Sequence, residues 1–273
     1  MSNVVALESK RGAMETPLGQ VDQYNKWLRA QGLAANTVDL RVRHHKRFID
    51  DFEDLRTVEG HDVADWLATY VGWTRRTYQA SFNSVFRWMV ETGQRVDNPC
   101  DRIRNAPSPR PRPKPLSRDE VSRILRVASG DQRAWILLAL LAGLRAHEIA
   151  KIRGEDVTAD TIAVVGKGSS VEEVETHPDL WILAQNYPRT GRWFPDATPK
   201  SVSDHTGTLF HALDISGSIH RARATFGTAL IKTHPINVVQ GLLRHKSLAS
   251  TQHYLGVDSD ERRRAITGLD VAS

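Results

Sequence analysis

Six side chains of this sequence have types that together can attack a phosphodiester: Arg145, Lys167, His220, Arg223, His245 and Tyr254. Guanidinium forks bind phosphate oxygens bidentately, an imidazole moves or donates a proton, and a phenol can act as a nucleophile. Arg145 stands in Gly143-Leu144-Arg145-Ala146-His147-Glu148, and His220 and Arg223 in His220-Arg221-Ala222-Arg223. His245 and Tyr254 lie in the run Leu243-Arg244-His245-Lys246-Ser247-Leu248-Ala249-Ser250-Thr251-Gln252-His253-Tyr254.

Plain structural roles compete with each of these. Arg145 and Glu148 are spaced to pair on one turn of helix, which alone stabilises little. Lys167 lies between Gly166 and Gly168 at an expected hairpin tip, where a lysine is either solvated or carried into a groove to protonate a leaving oxygen. His220 and Arg223 share a helix face and aim a donor and a fork at one anion. The segment from His245 to Tyr254 also fits a helix-turn-helix, with residues 236–243 and 248–255 as its helices and no chemistry at all.

Metal chemistry finds no support. His44, His45, His177, His205 and His211 are not spaced as zinc ligands, and Cys100 is the sole thiol. There is no phosphate-cradling glycine loop and no acid cluster for two metals; Glu172 and Glu173 are adjacent and point to opposite faces of a strand. No metal and no cofactor is expected.

The elements that must position these groups follow from periodicity. Residues 1–14 lack it and form a tail. From Val21 the pattern is helical, with Tyr24, Trp27 and Leu28 on one face and Gly32 ending the segment. Asn36 is expected to cap a second helix, with Val38, Val42, Phe48 and Ile49 inward and Arg41, Arg43, Lys46 and Arg47 on other faces. A short helix follows around Val63 and Leu67. Thr74 is expected to cap a fourth, with Tyr78, Phe82, Val85, Phe86 and Met89 inward, Arg75, Arg76 and Arg87 outside, and Asn98-Pro99 closing it. No strand pattern occurs here, so residues 15–104 read as a helical bundle with basic faces.

Residues 105–116 alternate proline with Arg110, Arg112 and Lys114. Proline at this density forbids helix and favours extended chain, either a spacer or a strap along a phosphate backbone. Residues 117–273 form the second domain. Ser117 and Glu120 make a capping box, residues 135–144 a buried helix interrupted by Gly143, and residues 161–165 and 171–176 an antiparallel pair. The rest reads as helix and loop. The fold class is therefore mainly α, in two domains, with one small antiparallel sheet.

The chain has 273 residues, 40% of them hydrophobic, and a formal net charge of +5, a mild bias toward polyanions. One cysteine excludes an intrachain disulfide framework. The most apolar run is too short to span a bilayer and no signal-peptide pattern is present, so a cytoplasmic protein is expected.

In order and context these motifs resemble the tyrosine recombinase (phage integrase) family. Gly143-Leu144-Arg145 with Glu148 resembles its first conserved box, Val165-Gly166-Lys167-Gly168 its hairpin lysine, and His220-Arg221-Ala222-Arg223-Ala224-Thr225-Phe226 its second box. His245 through Tyr254 resembles the nucleophile segment. Three departures stand out: Arg244 where the family usually has glycine, Ala222 where it has leucine, and Glu172 and Glu173 after the hairpin turn where basic residues are common.

The resemblance implies a small site-specific recombinase, in a bacterial host cell, without a separate arm-binding domain. A SAM-like four-helix core-binding bundle over 15–104 would be joined by a basic strap to a catalytic domain over 117–273. Tyr254 would be the nucleophile, Arg145 and Arg223 the phosphate clamp with Glu148 in support, and Lys167 the leaving-group acid. His220 and His245 would hydrogen-bond the phosphate or assist the tyrosine proton. Arg41, Arg43, Lys46, Arg47, Arg75, Arg76, Arg87, Arg110, Arg112 and Lys114 would contact DNA. The implied partners are double-stranded core-type attachment sites, three further copies of the chain in a homo-tetramer, and an excision or directionality factor. The chain would be a phage or prophage integrase; the alternatives are a chromosome or plasmid dimer resolvase, a tyrosine-type topoisomerase, or a non-catalytic DNA-binding protein.

Overall fold

The computed structural model describes residues 17–105, 107, 114–166 and 171–244. Lys167, His245 and Tyr254 lie outside the described residues, as do Arg110, Arg112 and the tail over 1–14. The described residues fall into two compact units, one on each side of Pro109 and Arg110.

The first unit holds four helices: α1 (Pro17–Ala30), α2 (Ala35–Asp51), α3 (Gly60–Ala68) and α4 (Gly72–Glu91). Its core is aromatic, with Tyr24, Phe48, Phe82, Phe86 and Trp88 fully buried. The expected inward residues are inward, but three boundaries differ. Asn36 does not cap α2; Ala34 is the N-cap, extended at ψ 140°, with no side-chain bond. Thr74 lies inside the first turn of α4, whose N-cap is the extended Val71. That helix ends at Glu91, before Gly93 at φ +72°, so Asn98-Pro99 belongs to the following turns. At both N-termini the helix starts from an extended residue with no side-chain cap, two or three positions before the polar residue expected to cap it.

The sequence also hid two residues in this core. His44 and His45 are buried, His44 with Nδ1 2.8 Å from the Ser81 hydroxyl. His45 lies edge-on to Tyr24 and Trp88, at 4.9 and 5.6 Å between ring centres. Neither ring nitrogen of His45 has a hydrogen-bond partner, and burial pushes its pKa down to about 4.

The second unit begins where Ser117 caps α5 (Arg118–Val127). Its hydroxyl accepts from the Glu120 N–H at 3.1 Å, and the Glu120 carboxylate accepts from the Ser117 N–H at 2.7 Å. Helix α6 (Gly130–Leu141) is apolar nearly all round and central, with Ala134, Ile136, Leu138 and Ala139 wholly buried. The one-turn α7 (Ala146–Ile149) follows, then β1 (Thr161–Val165), β2 (Val171–Glu175), α8 (Pro178–Ala184), α9 (Pro199–Ala212), α10 (Ile219–Ile231) and α11 (Ile236–Leu242). Among the described residues the sheet has two strands, antiparallel, with Val164 opposite Glu172 and Val165 opposite Val171. Ile162, Val164 and Val174 are its buried face. Helix α10 packs on α6, and α11 packs on α10.

Residues 114–116 are tied to α10. The Leu116 N–H donates to the Thr225 hydroxyl at 2.7 Å. Arg221 donates to the carbonyls of Lys114 and Pro115, each at 3.0 Å, and pairs with Glu120 at 3.0 Å. No helix among the described residues is long and apolar enough to cross a membrane.

Candidate active site

The site is built on the turn between α6 and α7. Gly143, at φ +60°, turns the chain as α6 ends; an added Cβ there would lie 2.5 Å from Cδ1 of Phe226 on α10. Glycine is therefore required twice, for its backbone sign and for the closeness of α10. The turn delivers Arg145 to the N-cap position of α7, so that Glu148 falls on the third residue of that helix.

Glu148 is the hub. Its side chain has 0% exposure. Oε2 accepts from the Arg145 N–H at 2.7 Å, and Oε1 from Nη1 of the Arg145 guanidinium at 2.8 Å. Arg244 Nη2 donates to Oε2 at 2.7 Å. Burial alone would raise the Glu148 pKa. The charge of Arg244, the Arg145 N–H and the Arg145 guanidinium overcome it and hold the carboxyl below the ordinary glutamate range. A buried carboxylate gripped from two sides fixes Arg145 while leaving 30% of that side chain open to solvent.

Arg223, on α10, is buried and donates through Nη1 to the Gly143 carbonyl and through Nη2 to the Leu243 carbonyl at 2.5 Å. Arg145 Nη2 lies 3.4 Å from the Arg244 carbonyl. The α6–α7 turn, α10 and the end of α11 are thus laced together by guanidiniums. His220 is exposed one turn before Arg223. Desolvation, then the charges of Arg223 and Arg145, lower its pKa. His147 also stands here, Nε2 4.0 Å from Glu148 Oε1, with its pKa lowered by burial against the opposing pull of Glu148.

The structure therefore brings together Arg145, Glu148, Arg223 and His220. The flank of the expected lysine hairpin is beside them: Val164 and Val165 share a crevice with Leu144, Glu148 and Lys151. Arg244, read in the sequence only as a departure, proves to be part of the cluster. The signal was present but silent, because its partners Glu148 and Glu172 lie far away in sequence.

A model of the phage integrase family matches residues 114–261, more than half of the chain. The chain belongs to the phage integrase family. Among its relatives in this family is a tyrosine recombinase of Pseudothermotoga lettingae, 30% identical over 207 residues, covering 70% of this chain and 72% of the relative. The tyrosine recombinase XerA of Pyrococcus horikoshii is 24% identical, covering 90% of this chain and 92% of its own. Among solved structures, a lambda integrase dimer bound to a COC′ core site matches with a TM-score of 0.72 at 19% identity, over 88% of this chain and 96% of that one. That likeness carries the fold of an integrase-family protein.

The basic residues of the first unit divide. Arg43, Lys46 and Arg87 are exposed, and Arg41 is half-buried. Arg41 and Arg87 line one groove with Trp27, Gln31, Asn83 and Asn105. Arg47 is exposed as well, but is held by aromatic neighbours: it donates to the hydroxyls of Tyr70 at 2.6 Å and Tyr78 at 2.8 Å and lies over the rings of Trp66, Tyr70 and Tyr78. Arg75 donates to the Leu67 carbonyl at 2.7 Å, and Arg76 sits over Trp73. Lys114 is exposed.

Proposed function

We propose that this chain is a site-specific DNA recombinase that cuts and rejoins duplex DNA through a 3′-phosphotyrosyl intermediate. The Tyr254 oxygen attacks the scissile phosphorus, a Tyr254–phosphorus bond forms, and the bond from phosphorus to the 5′ oxygen breaks. The departing 5′ oxygen takes a proton from Lys167. The tyrosine proton leaves through His245 or His220 to solvent. An ordinary tyrosine pKa is about 10, so attack at neutral pH depends on charge stabilisation at the phosphate. Arg145 and Arg223 supply it, with Glu148 locking Arg145 in place. The phosphotyrosyl link keeps the energy of the broken bond, so rejoining needs no nucleotide.

The observation that carries this reading is the guanidinium-laced turn around Gly143 and Arg145, with Glu148 buried beneath it. The first unit, with Arg41, Arg43, Lys46, Arg75, Arg76 and Arg87, would grip core-type DNA together with the basic linker through Arg110, Arg112 and Lys114, and four copies would assemble for strand exchange. Incubating the purified protein with nicked suicide duplexes and mapping the attached residue tests the chemistry. Wild type should form an adduct at Tyr254; Tyr254→Phe should bind DNA and form none. An adduct formed by Tyr254→Phe would overturn the nucleophile assignment. Arg145→Ala and Arg223→Ala should slow cleavage by about 100-fold or more, the usual effect of removing charge aimed at a transition state.

The Xer names among the relatives support a second reading, exchange between two copies of one site as in dimer resolution. The integrase reading requires two unlike sites instead. Sequencing recombination junctions distinguishes them.

A further inference from the structure

Arg244 combines three properties that an incidental side chain does not. Its backbone sits at φ +52°, a conformation costly to a residue with a Cβ. Its side chain is 3% exposed although arginine is rarely buried without a partner. And its guanidinium reaches three separate elements. Nη2 donates to Glu148 Oε2 on α7 and lies 3.4 Å from the Gly143 carbonyl, which Arg223 also holds. Nε stands 3.8 Å from Glu172 Oε2 on β2.

Glu172 makes the arrangement more specific. Its register partner is Val164, so it shares a sheet face with Ile162, Val164 and Val174, all buried. The Glu172 side chain is itself 37% exposed, and its carboxylate lies within ion-pair distance of the buried Arg244. The two departures from the family pattern, Arg244 for glycine and an acid for a base after the hairpin turn, are thus partners in space. Among the described residues, Arg244 Nε has no hydrogen bond. Closing the 3.8 Å gap by about 1 Å would give it one.

We propose that Arg244 is a positioning residue for the recombination reaction, a buried clasp joining the strand that follows Lys167, the turn that carries Arg145, and the chain that enters His245. This rests on the phosphotyrosyl reading above. Arg244 does not face the phosphate; it acts through Glu148, the Gly143 carbonyl and Glu172. The left-handed backbone at Arg244 sets the direction in which the chain leaves α11, and the guanidinium fixes that exit against the hairpin strand. The strain is retained because glycine, which would relieve it, has no fork.

The test uses the full chain, with adduct formation on suicide duplex measured at saturating DNA and DNA affinity measured separately. Arg244→Gly restores an unstrained backbone and removes the clasp. It should keep the wild-type Kd and, under conditions where it is fully folded, form adduct about 10- to 100-fold more slowly, since misplacing a reacting group by about 1 Å costs on that order. Glu172→Gln should slow the same step at unchanged Kd, and the double variant should be no slower than Arg244→Gly. Arg244→Lys, a point charge without a fork, should recover only part of the rate. A wild-type rate in Arg244→Gly, or additive losses in the double variant, overturns the clasp. If Arg244→Gly fails to fold, Glu172→Gln decides alone, and a wild-type rate there is the refuting result. Absence of any Tyr254 adduct in wild type refutes the recombinase reading instead, so the two failures are distinguishable.

Discussion

Replacing Gly143 by alanine strikes the site at its pivot. The new methyl would sit 2.5 and 2.7 Å from Cδ1 and Cε1 of Phe226, on a backbone at φ +60°. Carbon atoms in good contact are about 3.5–4.0 Å apart, so the ring must retreat by about 1 Å. Left-handed backbone costs alanine about 1–2 kcal/mol, and overpacking adds about 1–3 kcal/mol. The total is about 2–5 kcal/mol. Gly191→Ala is the matched control, because its φ is +82° and nothing lies within 4 Å of the added carbon. It should lose only the backbone share. Urea unfolding followed by fluorescence and circular dichroism gives both values. The Gly143 carbonyl accepts from Arg223 and Arg244, so Gly143→Ala should also slow adduct formation under conditions where it is fully folded. If Gly143→Ala loses no more stability than Gly191→Ala, the close approach of α10 is wrong.

Three further outcomes are expected. Glu148→Gln leaves the Arg244 guanidinium buried without its counter-charge and should cost about 3–5 kcal/mol in urea unfolding. The wild-type Glu148 pKa is depressed, so its contribution is fully present above the unfolded value of about 4.3 and is lost as pH falls through the lower folded value; Glu148→Gln should lack that acid-sensitive component. His45, with a folded pKa of about 4, stays neutral while the unfolded chain takes up a proton below about 6.5; the fold should therefore lose about 3 kcal/mol as pH drops through that window, and an NMR midpoint for His45 near 6.5 would contradict its burial. Gly154→Ala places a carbon 2.0 Å from the Pro188 carbonyl oxygen, which is backbone and cannot swing aside, so it should destabilise more than Gly143→Ala in the same unfolding assay.

What was legible in the sequence is what local chemistry dictates. The capping box of Ser117 and Glu120 and the β-branched run of β1 are encoded within a few residues and formed as expected; the apolar α6 also formed, but over Gly130–Leu141 instead of 135–144, so that Gly143 lies beyond its end. The pairing of Arg145 with Glu148 was legible for the same reason. The plain reading is what the structure shows: the ion pair forms and holds the guanidinium in place. Features that depend on distant partners were not legible. His44 and His45 are typed as polar, and the Ser81, Tyr24 and Trp88 that accommodate them come from other helices. Arg47 is outward, but the Tyr70 and Tyr78 hydroxyls that hold it come from distant positions in the chain. Arg244 could be seen to be unusual but not why, since Glu148 and Glu172 meet it only after folding.

The stitching of residues 114–116 onto α10 gives the preceding proline-rich segment a fixed footing. Arg221, which holds the Lys114 and Pro115 carbonyls, sits between His220 and Arg223 in the chain. The first residues of the second unit and the helix that carries His220 and Arg223 therefore share their bonds, so that loosening residues 114–116 would also free the side chain that stands between those two.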